Sequence, residues 1–482
     1  MNKTFKLSVL YGIIYAVCMF ENPSGITFPI LVLLMVIGLA GFTGYSGEGF
    51  TFSDILYATA CIALSVTVPL TQNKVNIYFT KVVIFTLIVV YLVKKFYKVR
   101  NMGMYGGLMS IICFVVEMIA NIQAPFKEIN LSTKKSDNNE EDEIVTKSSS
   151  GKNMVLVGIL VSIPILLVVL SLLTSADAVF RKVLLYMFDS LNDIKSICTA
   201  ITYIFIGLFV TYSFAKTSYD KKIKIFTFDS KKYNPVAAIT VSITLSLVYV
   251  LFSVIQVVAL FGKGTYFLPE EYTYAQYAKE GFYQLVIVAI INMIIIFVCK
   301  ALFEKNVLLQ GCLTVISLCT FIMLASSAYR LNMYINTYHL TFARILGMIV
   351  LFVAALYMIG LTISIFTDRF PVFEYAVAAT AIAYMVFALI RPDALIAREN
   401  VNHIKEYKDV RYLVKELSYD AAPYLVDLEG YEDILEDYYK DIVEEYDSKD
   451  VRKFNVSEYK AYVSAKEYLR KHSSSVDFTS NK

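Results

Sequence analysis

Residues 329–344, with the sequence YRLNMYINTYHLTFAR, combine arginine, asparagine, tyrosine and histidine side chains between two strongly apolar segments. If the stretch is helical, residues three or four positions apart lie on one face. Two adjacent polar stripes follow, the first with Arg330, Tyr334, Thr337 or Tyr338, Thr341 and Arg344 and the second with Asn332, Asn336 and His339. The spacing therefore predicts one helix with a continuous polar surface.

Two arginines near the ends of such a surface suit an anion, a lipid headgroup or a carboxylate of a partner, because guanidinium groups form charge-assisted hydrogen bonds with oxyanions. The alternative is an interfacial helix whose arginines reach lipid phosphates while its other side contacts the C-terminal tail. The sequence alone leaves both interpretations open.

Further charged candidates lie in other polar loops. Asp177, in SADAVF, either pairs with Arg330 or Arg344 or caps the helix that follows it. The motif RPDALIAREN adds Asp393 and Arg398 on the same predicted face. These positions together predict a charge network on that face.

Glu117, in FVVEMIANI, is an acidic residue inside a predicted membrane span. An ionisable side chain at that depth is costly unless it is paired or hydrated, so it indicates a proton- or cation-coupling role. The alternative is that Glu117 reaches the interface, because it lies only about six residues from the polar end of the span.

Signatures of known catalytic centres are missing: the chain has no phosphate-binding glycine loop, no HExxH and no G-x-S-x-G. Of the three histidines, only His339 and His403 are predicted on the same face, where they could form a pair. All seven cysteines fall within apolar runs, which favours a packing role. We expect no cofactor and no metal.

The bulk composition indicates a membrane protein. Hydrophobic residues make up 57% of the 482 positions and charged residues only 18%, against about 25% charged in soluble domains. Several apolar runs reach the roughly 20 residues that cross a bilayer, and backbone groups in hydrocarbon must be satisfied within a helix. The fold class is therefore predicted to be all-α, a polytopic helical membrane protein.

The hydropathy pattern predicts about twelve spans. They lie near residues 4–20, 26–43, 54–70, 76–94, 103–123, 153–173, 196–215, 235–261, 281–303, 307–328, 345–366 and 372–390. Four regions result: five spans in 1–123, a polar flexible linker in 124–152, seven spans in 153–390 and a hydrophilic tail in 391–482. The tail carries 15 Lys and Arg against 20 Asp and Glu, and its tyrosines and aliphatics at helical spacing predict a small acidic helical domain.

The lysine distribution suggests an orientation. Six lysines follow the seventh span in KTSYDKKIKIFTFDSKKYN, and positive loops favour the cytoplasm. This places the protein in the cell membrane with its tail outside. The segment KKFYKVR after the fourth span opposes this orientation, because twelve crossings would place its four positive charges outside as well.

Six motifs occur in an order that resembles known bacterial membrane families. They are LLTSADAVF, LPEEYTYAQYAKEGFYQL, YRLNMYINTYHLTFARI, RPDALIARENV, LVKELSYDAAPYL and RKFNVSEYKAY. Together, over about residues 155–470, they are similar to the families described as domains of unknown function 4153 and 4173. Two positions depart from the family pattern: Arg391 replaces the usual asparagine and Val451 the usual tryptophan. The resemblance implies a bacterial envelope protein of unknown activity.

Two classes of function are consistent with these observations. The first is a non-enzymatic envelope component: a scaffold, a sensor or a partner of a signalling or envelope-maintenance system. The second is a transporter or flippase that uses Glu117 and the arginine-rich face. An intramembrane enzyme ranks behind both. We expect membrane lipids and a membrane or envelope protein as partners and no nucleic acid, and the sequence leaves the oligomeric state open.

Overall fold

The fold is helical throughout the part of the chain that the computed structural model describes. That part comprises residues 3–45, 47, 49, 51–97, 104–123, 192–220, 232–261, 274–448 and 450–479, with seven single positions between 169 and 182. Within these residues the β-structure amounts to one isolated bridge between Tyr233 and Phe303. The predicted linker and the predicted span at 153–173 fall almost entirely outside the described residues.

The α-helices are numbered here in chain order over the described residues. They are α1 Lys3–Met19, α2 Thr27–Tyr45, α3 Phe52–Thr67, α4 Lys74–Tyr97, α5 Met104–Ala120, α6 Asn192–Asp220, α7 Val236–Phe261, α8 Tyr274–Leu302, α9 Val307–Tyr338, α10 Phe342–Phe366, α11 Val372–Ile390, α12 Pro392–Asn400, α13 Tyr407–Lys415, α14 Glu432–Asp447 and α15 Val456–Thr479. Several short 3-10 turns, including Val68–Leu70 and Tyr419–Tyr424, lie between them.

Among the described residues, nine helices are long and apolar enough to cross a membrane: α2, α3 with its 3-10 extension, α4 and the apolar parts of α6 to α11. The shorter apolar helices α1 and α5 accompany them. The chain is thus a multi-pass helical membrane protein. The predicted number of about twelve spans is not confirmed.

The chain divides into two compact units. Unit 1 consists of Met1–Pro23, Ile30–Phe50 and Ile112–Ile223. In this unit α1 packs tightly on α6, because Gly12 and Gly207 let the two backbones approach. A Cβ atom on Gly12 would lie 2.5 Å from the carbonyl oxygen of Ile204.

Unit 2 consists of Ser24–Pro29, Thr51–Ile111 and Lys224–Lys482. Its membrane core forms where α7, α8, α9 and α10 meet, and the side chains of Ile296, Ile316 and Met358 are fully buried there. Helix α4 packs on α3, and both contact α11. These contacts fix the ends at which the polar turns of the unit emerge.

The helices of unit 2 have two polar ends. We call one the lysine end, where Lys94, Lys95, Lys232, Lys300 and Lys305 lie beside the turns at 303–306 and 367–371. The other is the tail end, formed by the turns at 68–73 and 339–341 and the residues from 391 onward. Helices α9, α10 and α11 run alternately between the two ends.

Lys94 and Lys95 of KKFYKVR lie at the end opposite the tail, whereas the twelve-span prediction places them on the same side as the tail. Lys94 pairs with Glu374 at 3.1 Å, at the start of α11, whereas the tail begins at the other end of α11. The sequence predicts three spans between Lys94 and Lys232, and an odd number of spans would put these two lysines at opposite ends of unit 2. Both lie at the lysine end instead. Lys94 lies there because α4 begins next to the tail and runs away from it.

The tail folds onto the tail end around its own apolar core. Helices α12 to α15 and the 3-10 turn at 419–424 bury Ile396, Leu413, Leu435, Tyr439 and Tyr468. Ile345 of α10 and Phe387 of α11 belong to the same cluster. The core of the tail is therefore continuous with the ends of two membrane helices.

Candidate functional site

Asp420 is the centre of a buried polar network between the tail and the turn at 68–73. Its side chain is completely buried. One carboxylate oxygen accepts from Thr71 Oγ1 at 2.6 Å, and the other accepts from the Gln72 amide at 3.0 Å and from the Ser457 hydroxyl. The turn at 68–73 thus supplies two of the donors that satisfy this buried carboxylate, and the tail supplies the third.

Asp393 makes the second carboxylate contact. It is 3% exposed, and its Oδ2 accepts from Asn73 Nδ2 at 2.8 Å and from the Ser418 amide at 3.0 Å. Asn73 in turn donates its amide to Thr71 Oγ1. The two carboxylates are thus linked through one turn.

Asn455 completes the network from the start of α15. Its Oδ1 accepts from the amides of Ser457 and Glu458, which caps the helix. Its Nδ2 donates to the carbonyls of Ser24 and Thr71 at 3.0 and 3.1 Å. The Asn455 side chain therefore caps the N-terminus of α15 and also binds this helix to two turns at the ends of membrane helices.

Arg391 supplies the positive charge of this network. Its Nη2 donates to Ser457 Oγ at 2.8 Å and lies 3.3 Å from Asp420 Oδ1. The residue joins α11 to α12 in the left-handed conformation, at φ 54°, which costs about 1–2 kcal/mol outside glycine. Asparagine tolerates this conformation better, but it lacks the charge that neutralises Asp420. We call Thr71, Gln72, Asn73, Asp393, Arg391, Asp420, Asn455, Ser457 and Glu458 the docking network.

The predicted single helix over 329–344 is wrong. Helix α9 ends at Tyr338, α10 begins at Phe342, and His339 adopts φ 62° and ψ −176°. The helix stops there because Asn400 satisfies both backbone groups of Leu340, accepting from its amide at 3.0 Å and donating to its carbonyl at 2.9 Å. A residue 60 positions away thus decides where α9 ends.

His339 and His403 are brought together, as the sequence suggested. Their rings stack with centroids 4.4 Å apart and planes 12° apart. Burial lowers the pKa of His339, and the nearby charges of His403, Lys405 and Arg344 lower it further, while Asp409 opposes them. We call His339, Leu340, Asn400 and His403 the histidine junction.

Arg344 and Arg330 do not act on one surface. Arg344 folds back over the Tyr334 ring at 4.5 Å and donates to the carbonyls of Tyr338 and His339. It therefore caps the C-terminus of α9, where cations are favoured. Asn332 and Asn336 are exposed along the last turns of that helix.

Arg330 lies inside the helix bundle and is only 9% exposed. Its Nη2 donates to Gln256 Oε1 of α7 at 3.4 Å. Gly281 of α8 makes room for the guanidinium group, since a Cβ atom there would lie 1.8 Å from Nη1. The three residues form an intramembrane arginine pocket between α7, α8 and α9.

The remaining predicted residues lie apart from these sites. Asp177 accepts from the amides of Val179 and Phe180 at 2.7 and 3.0 Å, which is the capping role. Arg398 is exposed and pairs with its neighbour Glu399 at 3.1 Å, so it does not share a network with Asp393. Glu117 is half-buried on α5 in unit 1.

Metal binding finds no support in the described residues. They contain no group of three or more His, Cys, Asp or Glu side chains placed to hold an ion. The stacked rings of His339 and His403 lie face to face rather than pointing at a common centre.

Most of the docking network was not recognised in the sequence as a site. Asp420 stands in LSYDAAPYL and Asn455 in RKFNVSEYKAY, two of the motifs that carry the family resemblance. The polar turn TQN at 71–73, between two apolar spans, was the other available signal. Spacing could not reveal the network, because its members are separated by more than 300 residues.

The helices and the docking network define a multi-spanning membrane protein with a tail domain fixed to one end of its spans. The chain belongs to the family described as Domain of unknown function (DUF4153), whose sequence profile matches residues 58–428. The match includes α4 and all but the start of α3, which lie before the motifs that carry the resemblance, and it ends before α14. No curated protein and no solved structure matches the chain.

Proposed function

We propose that the protein is a non-enzymatic membrane component, a scaffold or sensor whose tail domain is coupled mechanically to its spans. The observation that carries this proposal is the burial of Asp393 and Asp420 of the tail in the turn between α3 and α4. A merely tethered tail would not require buried charges, because exposed contacts are sufficient to hold a loose appendage. Buried, fully bonded carboxylates favour one fixed arrangement.

The outer surface of the tail supports a role in binding a partner. Helix α14 carries eight acidic residues among its sixteen, and Asp437, Asp441 and Glu444 are exposed. A partner with a basic surface would approach this helix under electrostatic attraction. Movement of α14 would reach the spans through the core that the tail shares with α10 and α11.

The orientation that we propose places the tail outside the cell membrane. Lysine-rich ends favour the cytoplasm, and five lysines of unit 2 gather at the end opposite the tail. The position of Lys94 and Lys95 at that end supports this orientation.

The experiment compares capture of partners by the full chain and by Asp420→Ala in mild detergent. We expect a membrane or envelope protein to co-purify with the wild-type chain and to be lost with the variant, because the tail no longer holds its arrangement. Absence of any partner, together with solute or lipid flux in proteoliposomes, would overturn the proposal.

A transporter or flippase is the second candidate, and the arginine pocket favours it. In the described part of the chain, the buried hydroxyls of Ser253, Ser326 and Ser327 have no hydrogen-bond partner and lie on the same two helices as Gln256 and Arg330. Such groups suit a polar cargo that replaces their missing partners. Glu117→Gln and Arg330→Gln should each abolish flux in a folded protein, and unchanged flux would remove that residue from the mechanism.

A further inference from the structure

The histidine junction is the contact between the α9–α10 turn and the end of α12. It has two components: the stacked rings of His339 and His403, and the paired hydrogen bonds between Asn400 and Leu340. Unlike the docking network, it contains no carboxylate. Its strength therefore depends on the protonation of two imidazoles.

The backbone of His339 is strained. At φ 62° and ψ −176° it lies in a region that essentially only glycine occupies. Strain of this kind persists where surrounding contacts hold it, and it accumulates in switch regions. The ring stack and the Asn400 bonds are the contacts that hold this turn, so their loss would release it.

The charges that face the imidazoles are predominantly positive. Arg344 approaches from α10, and Lys405 approaches from the segment before α13. Asp409 is the opposing acidic group, but its carboxylate already accepts from the amides of Lys405 and Glu406 at 3.0 Å each. Protonation of both stacked rings would therefore place like charges together beside two further cations.

We propose that His339 and His403 form an acid-sensitive latch between the membrane spans and the tail domain, closed when both rings are neutral and opened by proton uptake. The inference rests on the proposed function as a sensor, and it names acid pH as the condition that the histidine junction detects. The latch and the docking network lie on different turns of the tail end, so the first opens while the second holds.

The sign of the pH dependence follows from linkage. The pKa of His339 is lower in the folded protein than in the unfolded chain, so the unfolded or opened chain binds more protons as the pH falls. The latch is thus fully stable above the ordinary histidine pKa of about 6.5 and weakens as the pH drops below it.

Hydrogen–deuterium exchange of the full chain in detergent tests the latch at a single amide. The Leu340 amide donates to Asn400 and reports the junction, whereas the Gln72 amide donates to Asp420 across the contact between the spans and the tail and reports the docking network. After correction for intrinsic exchange, we expect Leu340 to lose protection at pH 5.5 relative to pH 7.5, because the pKa of His339 is lowered in the folded protein. Gln72 should stay protected at both values.

Two variants of one exposed residue separate charge from stacking. His403→Phe keeps an aromatic ring and leaves His339 as the one titratable group of the stack, so the acid release of Leu340 should be smaller than in the wild-type chain. His403→Arg carries a permanent charge, so Leu340 should exchange rapidly already at pH 7.5. Equal protection of wild-type Leu340 at both values, or acid release that is undiminished in His403→Phe, would overturn the latch.

Failure of the proposed function gives a different result. If the tail is not docked, the Gln72 amide is unprotected at pH 7.5 in the wild-type chain. If only the latch is wrong, Gln72 is protected and Leu340 shows no dependence on pH.

Discussion

The two polar ends of unit 2 use opposite chemistry. At the lysine end, Lys94 and Glu374 pair while each side chain is 33% exposed, and Lys305 and Asp368 pair while each is more than half exposed. At the tail end, Asp420 is fully buried and receives directional hydrogen bonds from a turn and a serine. Exposed ion pairs contribute little to stability, whereas buried carboxylates must keep their partners. The lysine end thus carries exposed ion pairs of small energetic value, whereas the tail end carries buried contacts that hold the tail.

One pair at the lysine end breaks this pattern. Lys95 lies 2.6 Å from Asp54, and both side chains are at most 10% exposed. Asp54 also accepts from the Thr51 amide at the start of α3. This pair joins α4 to α3 through a buried carboxylate, as the contacts at the tail end do.

The largest effect that we expect is all-or-none labelling of the two ends. Single cysteines replace Asn336, Ser448 or Lys305, all exposed, in a chain whose native cysteines are alanine. A membrane-impermeant maleimide should label positions 336 and 448 from outside intact cells, and position 305 only after lysis. Labelling of all three from one compartment would remove the distinction between the ends.

Asp420→Ala should have the largest energetic effect. It leaves Arg391 and the Thr71 hydroxyl without their shared carboxylate, and loss of one member of a buried charge pair costs about 3–5 kcal/mol. Denaturant unfolding in detergent and limited proteolysis after residue 391 measure the loss. Asp427→Ala is the control, because Asp427 is 89% exposed and pairs only with the surface residue Lys471. Similar results for both variants would contradict the role of the network.

Lys95→Ala should cost less, about 2–3 kcal/mol, because Asp54 keeps the Thr51 amide after losing its cation. The matched variant is Lys305→Ala. We expect it to lower the free energy of unfolding by under about 1 kcal/mol, and we expect high salt to remove this difference. Thermal unfolding in detergent measures both losses. Equal losses of stability in the two variants would mean that burial does not decide how much each ion pair contributes.

Gly281→Ala should have a smaller effect than Lys95→Ala, about 1–2 kcal/mol, because the added methyl group displaces the Arg330 guanidinium. Gly311→Ala on α9 is the matched control, since no atom lies within 4 Å of its Cβ position, and it should be close to neutral. Thermal unfolding of the two variants in the same detergent compares them. If Gly281→Ala leaves the thermal stability unchanged, the Arg330 side chain can move aside without destabilising the protein.

The sequence predicted the membrane helices well, because a bilayer requires about twenty consecutive apolar residues and that requirement is local. It predicted the end of α9 wrongly. The three- and four-residue spacing continues through His339, and nothing near that position reveals that Asn400 takes the Leu340 backbone groups. Periodicity describes what a segment can form alone, whereas tertiary contacts decide where it stops.

The candidate sites were predicted only in part. Asp393 was named, but with Arg398 as its companion, because both stand in one motif. Its actual partner is Asn73, 320 residues earlier. The histidine pair was anticipated from shared sidedness alone. Such long-range pairs require the three-dimensional arrangement, since no local rule connects a turn between two early spans with a distant tail.

Helix α9 has 32 residues, which at 1.5 Å per residue is about 48 Å, well beyond a hydrocarbon thickness of about 30 Å. The helix must therefore tilt or extend past the lipid, and thinner or thicker bilayers would change how far its last turns project. Those turns carry Tyr334 and Tyr338 and end at the histidine junction. Bilayer thickness is thus a second physical variable, besides acidity, to which this contact is exposed.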